Sequence, residues 1–253
     1  DDSEDYVVFF VRPGLGQSKS DILYLVPSAS YLAYANHRMN LGEGGGMASV
    51  SKSLIRNAND AYLQAHKELG YSLYEHHDDG SGVHFSSRHR PILNLKPRNG
   101  TWAFNADTHI TAWLETRSEN FDVLTDEDLH LEGFESIQDY RVIITGTHPE
   151  YWSTAMLDGL EEWLDKGGRL MYMGGNGFYW RIAYDPEDTG IIEVRRAEDG
   201  VRAWIAREGE YYHQFNGEYG GLWRRQGRPP NQLVGVLSLI HISEPTRRRG
   251  ISY

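Results

Sequence analysis

Cysteine is absent from the 253-residue chain, which excludes disulfides, cysteine nucleophiles, iron–sulfur clusters and thiolate zinc sites together. Any metal must then be held by imidazole, carboxylate or phenolate, and 11 His and 16 Tyr supply those donors in quantity. Basic residues are in the minority, 25 Lys and Arg against 36 Asp and Glu. The resulting formal charge of −11 argues against nucleic acid or an anionic membrane as partner, because polyanions are bound by clustered cations. No apolar run approaches the length of a membrane span and no signal peptide opens the chain. Lack of cysteine is compatible with a reducing compartment, and the cytoplasm is the expected one. The length and a 40% hydrophobic content suffice for one large domain or two small ones.

The most informative stretch is 139–180. Residues 140–145 form a short β-branched run ending at Gly146, the pattern of a buried parallel strand. Ser153 can cap a following helix in which Met156, Leu157, Leu160, Trp163 and Leu164 share one face, with Glu161, Glu162, Asp165 and Lys166 opposite. Gly167 and Gly168 stop it, residues 169–173 make the next strand, and 174–177 a second tight loop. Both loops fall at the carboxyl end of the sheet, where open α/β folds place ligands. Within the first loop, Pro149 biases His148 towards an extended conformation, and residues two apart on an extended chain project to the same side. His148 and Glu150 can thereby converge as two ligands of a metal. The alternative is that Glu150 favours the helix N-terminus electrostatically and His148 is a hydrogen-bonded loop residue.

Elsewhere, 6–11 and 21–26 read as strands, and 107–116 as a helix with Ile110, Trp113 and Leu114 on one face behind an Asn-Ala-Asp cap region. A further strand is expected at 121–125. Residues 27–36 either line a pocket or form an amphipathic helical turn packed through Tyr31 and Tyr34. The glycine-rich 41–46 is flexible and lacks the lysine of a phosphate-binding loop, and 51–69 is an exposed helix or insertion. His76 and His77 are adjacent, so on a strand they point to opposite faces and are not counted as ligands. From 21 to 183 the order is that of a parallel sheet covered by helices. Beyond it, 191–196 and 201–206 suggest an antiparallel hairpin around Glu198-Asp199-Gly200, and 210–225 a polar, aromatic loop able to fold over the site. No G-x-S-x-G elbow follows a strand, which disfavours a serine hydrolase.

The blocks Ser28 to Asn36, Ser72-Leu73-Tyr74, Ser86 to Pro91, Val123 to His130, Gly146 to Ser153 and Gly174 to Arg181 occur in an order that resembles the N,N-dimethylformamidase large-subunit family, over residues 6–236. The resemblance implies a class I glutamine-amidotransferase-like, flavodoxin-like α/β core with a β-rich C-terminal extension. It implies a mononuclear non-haem iron, expected as Fe3+, bound by a tyrosine and by the His and Glu of an H-x-E pair. The pair falls on His148 and Glu150, and the tyrosine best on Tyr74, with Tyr71 and Tyr34 as weaker matches. Asn176 matches a pocket asparagine able to orient a carbonyl or an oxyanion. The amidotransferase cysteine has no counterpart, so glutaminase chemistry is not implied. The expected organisation is 6–184 as the α/β domain and 185–236 as a truncated β-rich extension. Residues 237–253 resemble a translated sequencing adapter with read-through beyond it. A missing N-terminal β-sandwich, a missing C-terminal acidic residue, a small partner subunit and homo-oligomerisation are implied as well, and the fragment is expected to risk inactivity.

The function expected on this basis is iron-dependent hydrolysis of N,N-dimethylformamide, or a similar small amide, to formate and an amine. A tertiary amide needs an electrophile on oxygen or a strong nucleophile, and a metal supplies both. The competing readings are a non-catalytic binding module on the same fold and a metal hydrolase of another amide or ester.

Overall fold

The computed structural model describes residues 6–38, 58–98, 102–200 and 203–235. Eight strands are formed: β1 (Ile22–Val26), β2 (Phe85–Ser87), β3 (Asp122–Thr125), β4 (Val142–Thr145), β5 (Tyr151–Trp152), β6 (Arg169–Met171), β7 (Trp180–Tyr184) and β8 (Ile191–Val194). The α-helices are α1 (Ser28–Ala33), α2 (Ala58–Ala65), α3 (Phe104–Thr116), α4 (Asp126–Glu132), α5 (Thr154–Asp165) and α6 (Pro230–Val234). Two four-stranded sheets result. The first has the order β3-β1-β4-β6 and is parallel throughout. The second, β2-β8-β7-β5, is mixed, with β8 antiparallel to both neighbours and β5 parallel to β7.

The central strand β1 is apolar without alternation because the parallel sheet is covered on both faces; Leu23, Tyr24, Leu25 and Val26 are all buried. In α5 the buried positions Met156, Leu157, Leu160 and Trp163 recur at helical spacing, each contributing roughly 1.5–3 kcal/mol by leaving water. Ser153 Oγ caps the helix by accepting from Met156 N at 3.3 Å, and Gly167, at φ +95°, follows its end in a conformation only glycine adopts without strain. Thr125 caps α4 in a reciprocal box with Asp128. These caps fix where strands end and helices begin, and so the loops at the carboxyl edge of the parallel sheet.

Several expected elements differ. Residues 6–11 are not paired into either sheet, and Val7, Phe9 and Val11 face outward; apolar alternation makes a strand only where another edge accepts its backbone hydrogen bonds. Helix α3 begins at Phe104, which places Asp107 inside its first turn, and Trp113 is exposed while Ile110 and Leu114 are buried. The hairpin of 191–196 with 201–206 does not form. β8 pairs instead with β7 and β2, because the chain turns tightly after Gly200, with Ala203 N donating to Gly200 O at 2.9 Å, and sends the Trp204 ring into the interior. The glycine-rich 41–46 and the 237–253 tail lie outside the described residues. Among the described residues no helix is long and apolar enough to cross a membrane.

Candidate functional site

Three segments converge beside the carboxyl end of β1 and β4. Tyr34 closes α1, the helix that follows β1. Tyr74 comes from a turn anchored by Leu73 N donating to Ala33 O at 3.0 Å and by the Glu75 carboxylate accepting from Ser72 N at 2.7 Å. Glu150 stands directly before β5, and its backbone is held from three sides. Its N–H donates to Ser30 Oγ at 3.1 Å and to His148 O at 2.9 Å, while its carbonyl accepts from Tyr179 N and Trp180 N at 3.0 and 2.9 Å.

The bond from Glu150 N to His148 O closes a three-residue turn around Pro149, the geometry that proline's fixed φ favours. The expected extended run from His148 to Glu150 is therefore corrected. The turn carries Glu150 into the interior, where it is 3% exposed, and leaves the half-buried His148 ring resting against Trp102, centroids 5.3 Å apart.

Around Glu150 the oxygens crowd. Tyr34 and Tyr74 stack at 4.3 Å, with their hydroxyls 2.5 Å apart. The Tyr34 hydroxyl lies 2.9 Å from Glu150 Oε2 and that of Tyr74 lies 3.1 Å from Oε1. The Tyr151 hydroxyl donates to Tyr74 at 2.6 Å. These four oxygen–oxygen contacts need four protons, and three phenols supply three. A protonated Glu150 supplies the fourth, in keeping with a carboxyl whose pKa is pushed up to about 7 by burial, against the opposing hydrogen bond from Tyr34 and the charge of Arg196. Burial, and then the charge of Glu150, push the Tyr34 and Tyr74 phenols well above the usual range.

The imidazole has its own support. Trp102 Nε1–H donates to His148 Nε2 at 3.4 Å, so Nδ1 carries the proton and donates to Thr147 Oγ1 at 3.3 Å. Thr147 Oγ1 in turn donates to Asp107 Oδ1 at 2.7 Å, and the same oxygen accepts from Thr147 N at 2.6 Å. Tyr31 donates to the other Asp107 oxygen. Trp102 also stands edge-on to Tyr34 at 4.4 Å, linking the imidazole to the oxygen cluster. Asn176 is buried at φ +52°, in a loop laced to the His148 segment by Gly175 N to Thr147 O at 3.0 Å and Phe178 N to Pro149 O at 2.8 Å.

Of the expected residues, then, Tyr74 and Glu150 meet at hydrogen-bond distance. Tyr34, the weaker tyrosine match, meets both. Tyr71 instead packs under the Arg38 guanidinium at 4.6 Å. Tyr151, Trp102, Asp107 and Arg196 escaped sequence reasoning; only Tyr151, next to Glu150, carried a positional signal. Among the described residues no three His, Asp or Glu side chains gather as a metal site, so the donors on offer are phenols with one carboxylate. That set fits a hard trivalent cation, because phenolate and carboxylate are hard anionic donors and the protons lodged between these oxygens occupy space a cation can take. His148 Nε2 presents a lone pair of the right tautomer, here taken up by Trp102.

The family described as "N,N-dimethylformamidase beta subunit-like, C-terminal" matches residues 1–249. The N,N-dimethylformamidase beta subunit of Paracoccus aminophilus is 40% identical over 243 residues, covering 93% of this chain and 32% of that protein. The protein of the same name from Alcaligenes sp is 40% identical over 244 residues, with the same coverages of 93% and 32%. The chain thus spans about a third of the length of these relatives.

Proposed function

The chain belongs to the N,N-dimethylformamidase beta subunit-like family, and from that membership and the geometry of the oxygen cluster we propose that it carries the catalytic metal centre of an amide hydrolase. The substrate is N,N-dimethylformamide or a similarly small N-substituted amide, and the products are formate and an amine. The observation that carries this reading is the burial of two phenol oxygens against the two oxygens of Glu150 at 2.5–3.1 Å.

Tyr34, Tyr74 and Glu150 hold ferric iron in this reading. His148 was expected in the set. Ligation would cost it the hydrogen bond from Trp102, so the third position is given to Tyr34 and His148 is assigned to proton handling at the rim. Iron so held would polarise the amide carbonyl and acidify a water molecule. The chain supplies the rest. Asp107, acting through Thr147, keeps the His148 proton on Nδ1, so Nε2, once released by Trp102, accepts a proton from the attacking water and returns it to the departing amine nitrogen. Water adds to the formyl carbon, the C–N bond breaks, and the protons balance as formate and amine. Asn176, on the loop beside His148, orients the carbonyl oxygen.

The relatives are named as beta subunits, and a small partner subunit with homo-oligomerisation of the longer protein belongs to the same proposal. The test is iron content and dimethylformamide hydrolysis of the chain in its full-length family context, assayed by formate release. Stoichiometric iron with formate release is expected. A metal-free protein would instead favour a non-catalytic module.

A further inference from the structure

Arg196 is fully buried, and no function so far described uses it. A guanidinium is always charged and offers five N–H donors, yet here Nε and Nη1 find no hydrogen-bond partner, a costly arrangement that calls for an explanation. The remaining nitrogen, Nη2, donates to Leu73 O at 2.9 Å and lies 3.4 Å from the Tyr151 hydroxyl. Its plane lies 4.4 Å from the Tyr74 ring centroid and 4.6 Å from that of Trp180, the placement of a cation between two aromatic faces. Trp204 Nε1 shares the Leu73 carbonyl at 3.0 Å. The backbone that carries Arg196 is itself clamped: Gly221 N donates to Arg195 O at 2.6 Å and Asp199 N to Arg196 O at 2.9 Å.

These contacts reach one neighbouring residue by three routes. Leu73 O is the backbone immediately before Tyr74, the stack is on the Tyr74 ring, and Tyr151 is the phenol that donates to the Tyr74 hydroxyl. Side-chain packing alone fixes a ring plane but leaves the turn free to shift along it. A forked donor on the preceding carbonyl removes that freedom, and a planar fork does so with less loss of rotamer entropy than a lysine.

We propose that Arg196 is a positioning residue for the donor set, holding the backbone, ring and hydroxyl side of Tyr74 together so that its oxygen faces Glu150. This rests on the reading of Tyr34, Tyr74 and Glu150 as the metal donors. It is tested in the full 253-residue chain with Arg196→Met, which keeps bulk and removes the fork, and Arg196→Lys, which keeps charge and removes the fork. Arg196→Lys is read alone should the Met variant fail to fold. Two quantities are measured: hydrogen exchange of residues 70–77 in metal-free protein, and uptake of added ferric salt followed by visible absorption. Exchange at 70–77 should rise about ten-fold in both variants with β1 unchanged, and ferric affinity should fall by about ten- to a hundred-fold, as for other residues that orient a ligand. Unchanged exchange at 70–77 overturns the proposal, as does loosened exchange with undiminished ferric affinity. A wild-type chain that takes up no ferric ion refutes the donor assignment instead, and the exchange measurement then still decides whether Arg196 fixes the Tyr74 turn.

Discussion

The hydroxyls of Tyr34 and Tyr74 lie 2.5 Å apart although forty residues separate them in sequence, and each addresses a different oxygen of Glu150. One phenol closes the helix after β1 and the other comes from a loop turn, so the pairing is a product of tertiary structure. It depends on Leu73 being anchored to Ala33 on one side and to Arg196 and Trp204 on the other.

The turn at Gly174 should tolerate no side chain. A Cβ there would sit 2.4 Å from Thr147 O and 2.7 Å from Pro149 Cδ, against backbone and a rigid ring. Gly174→Ala should lower stability by roughly 1–3 kcal/mol, the usual cost of overpacking. It should also separate the Asn176 loop from the His148 segment. Urea unfolding monitored by tryptophan fluorescence reads the first effect, and loss of amide protection at Gly175 the second.

Thr147→Val keeps the shape of the side chain and removes the hydroxyl between His148 and Asp107. Stability should fall by only about 1 kcal/mol, because Asp107 retains Tyr31 and Thr147 N. Turnover of the complete enzyme should drop about ten- to a hundred-fold as the imidazole loses its fixed tautomer. Unchanged turnover would remove the relay from the mechanism.

Glu150 gives a pH signature in metal-free protein. Its folded pKa of about 7 lies above the model value of 4.5, so the folded state binds the proton more tightly than the unfolded one. Stability from this group is whole below about pH 4.5 and is lost as the pH rises through 7, a difference of about 3 kcal/mol. Glu150→Gln, neutral throughout, should flatten that fall. Parallel stability curves for the two proteins between pH 4.5 and 7.5 would show that the carboxyl titrates normally.

Much of the fold could be read from local pattern. The β1 run, the Ser153 cap and the helical spacing of Met156, Leu157, Leu160 and Trp163 act within a dozen residues, and the parallel sheet follows from them. The hairpin expected beyond Ile191 failed because its register was set by partners at 85–87 and 180–184, a long-range choice that alternation cannot reveal. In the candidate site, the loops bearing Glu150 and Asn176 were legible as strand-end loops. The turn at Pro149 was not, because the same proline suits both an extended chain and a tight turn, and the bond to His148 O decides between them. Arg196 was invisible for a related reason: an arginine beside another arginine reads as solvated surface until aromatic rings are seen to enclose it.

The donor assignment is best decided by reconstituting the chain with ferric iron and recording metal content together with the visible phenolate-to-iron absorption, for the wild type and for Tyr34→Phe, Tyr74→Phe and Glu150→Gln. The wild type should bind close to one iron and be coloured. Each tyrosine variant should shift or lose the band, and the glutamine variant should lose the metal. Iron bound with unchanged colour in both tyrosine variants would show that the phenols beside Glu150 are not its ligands.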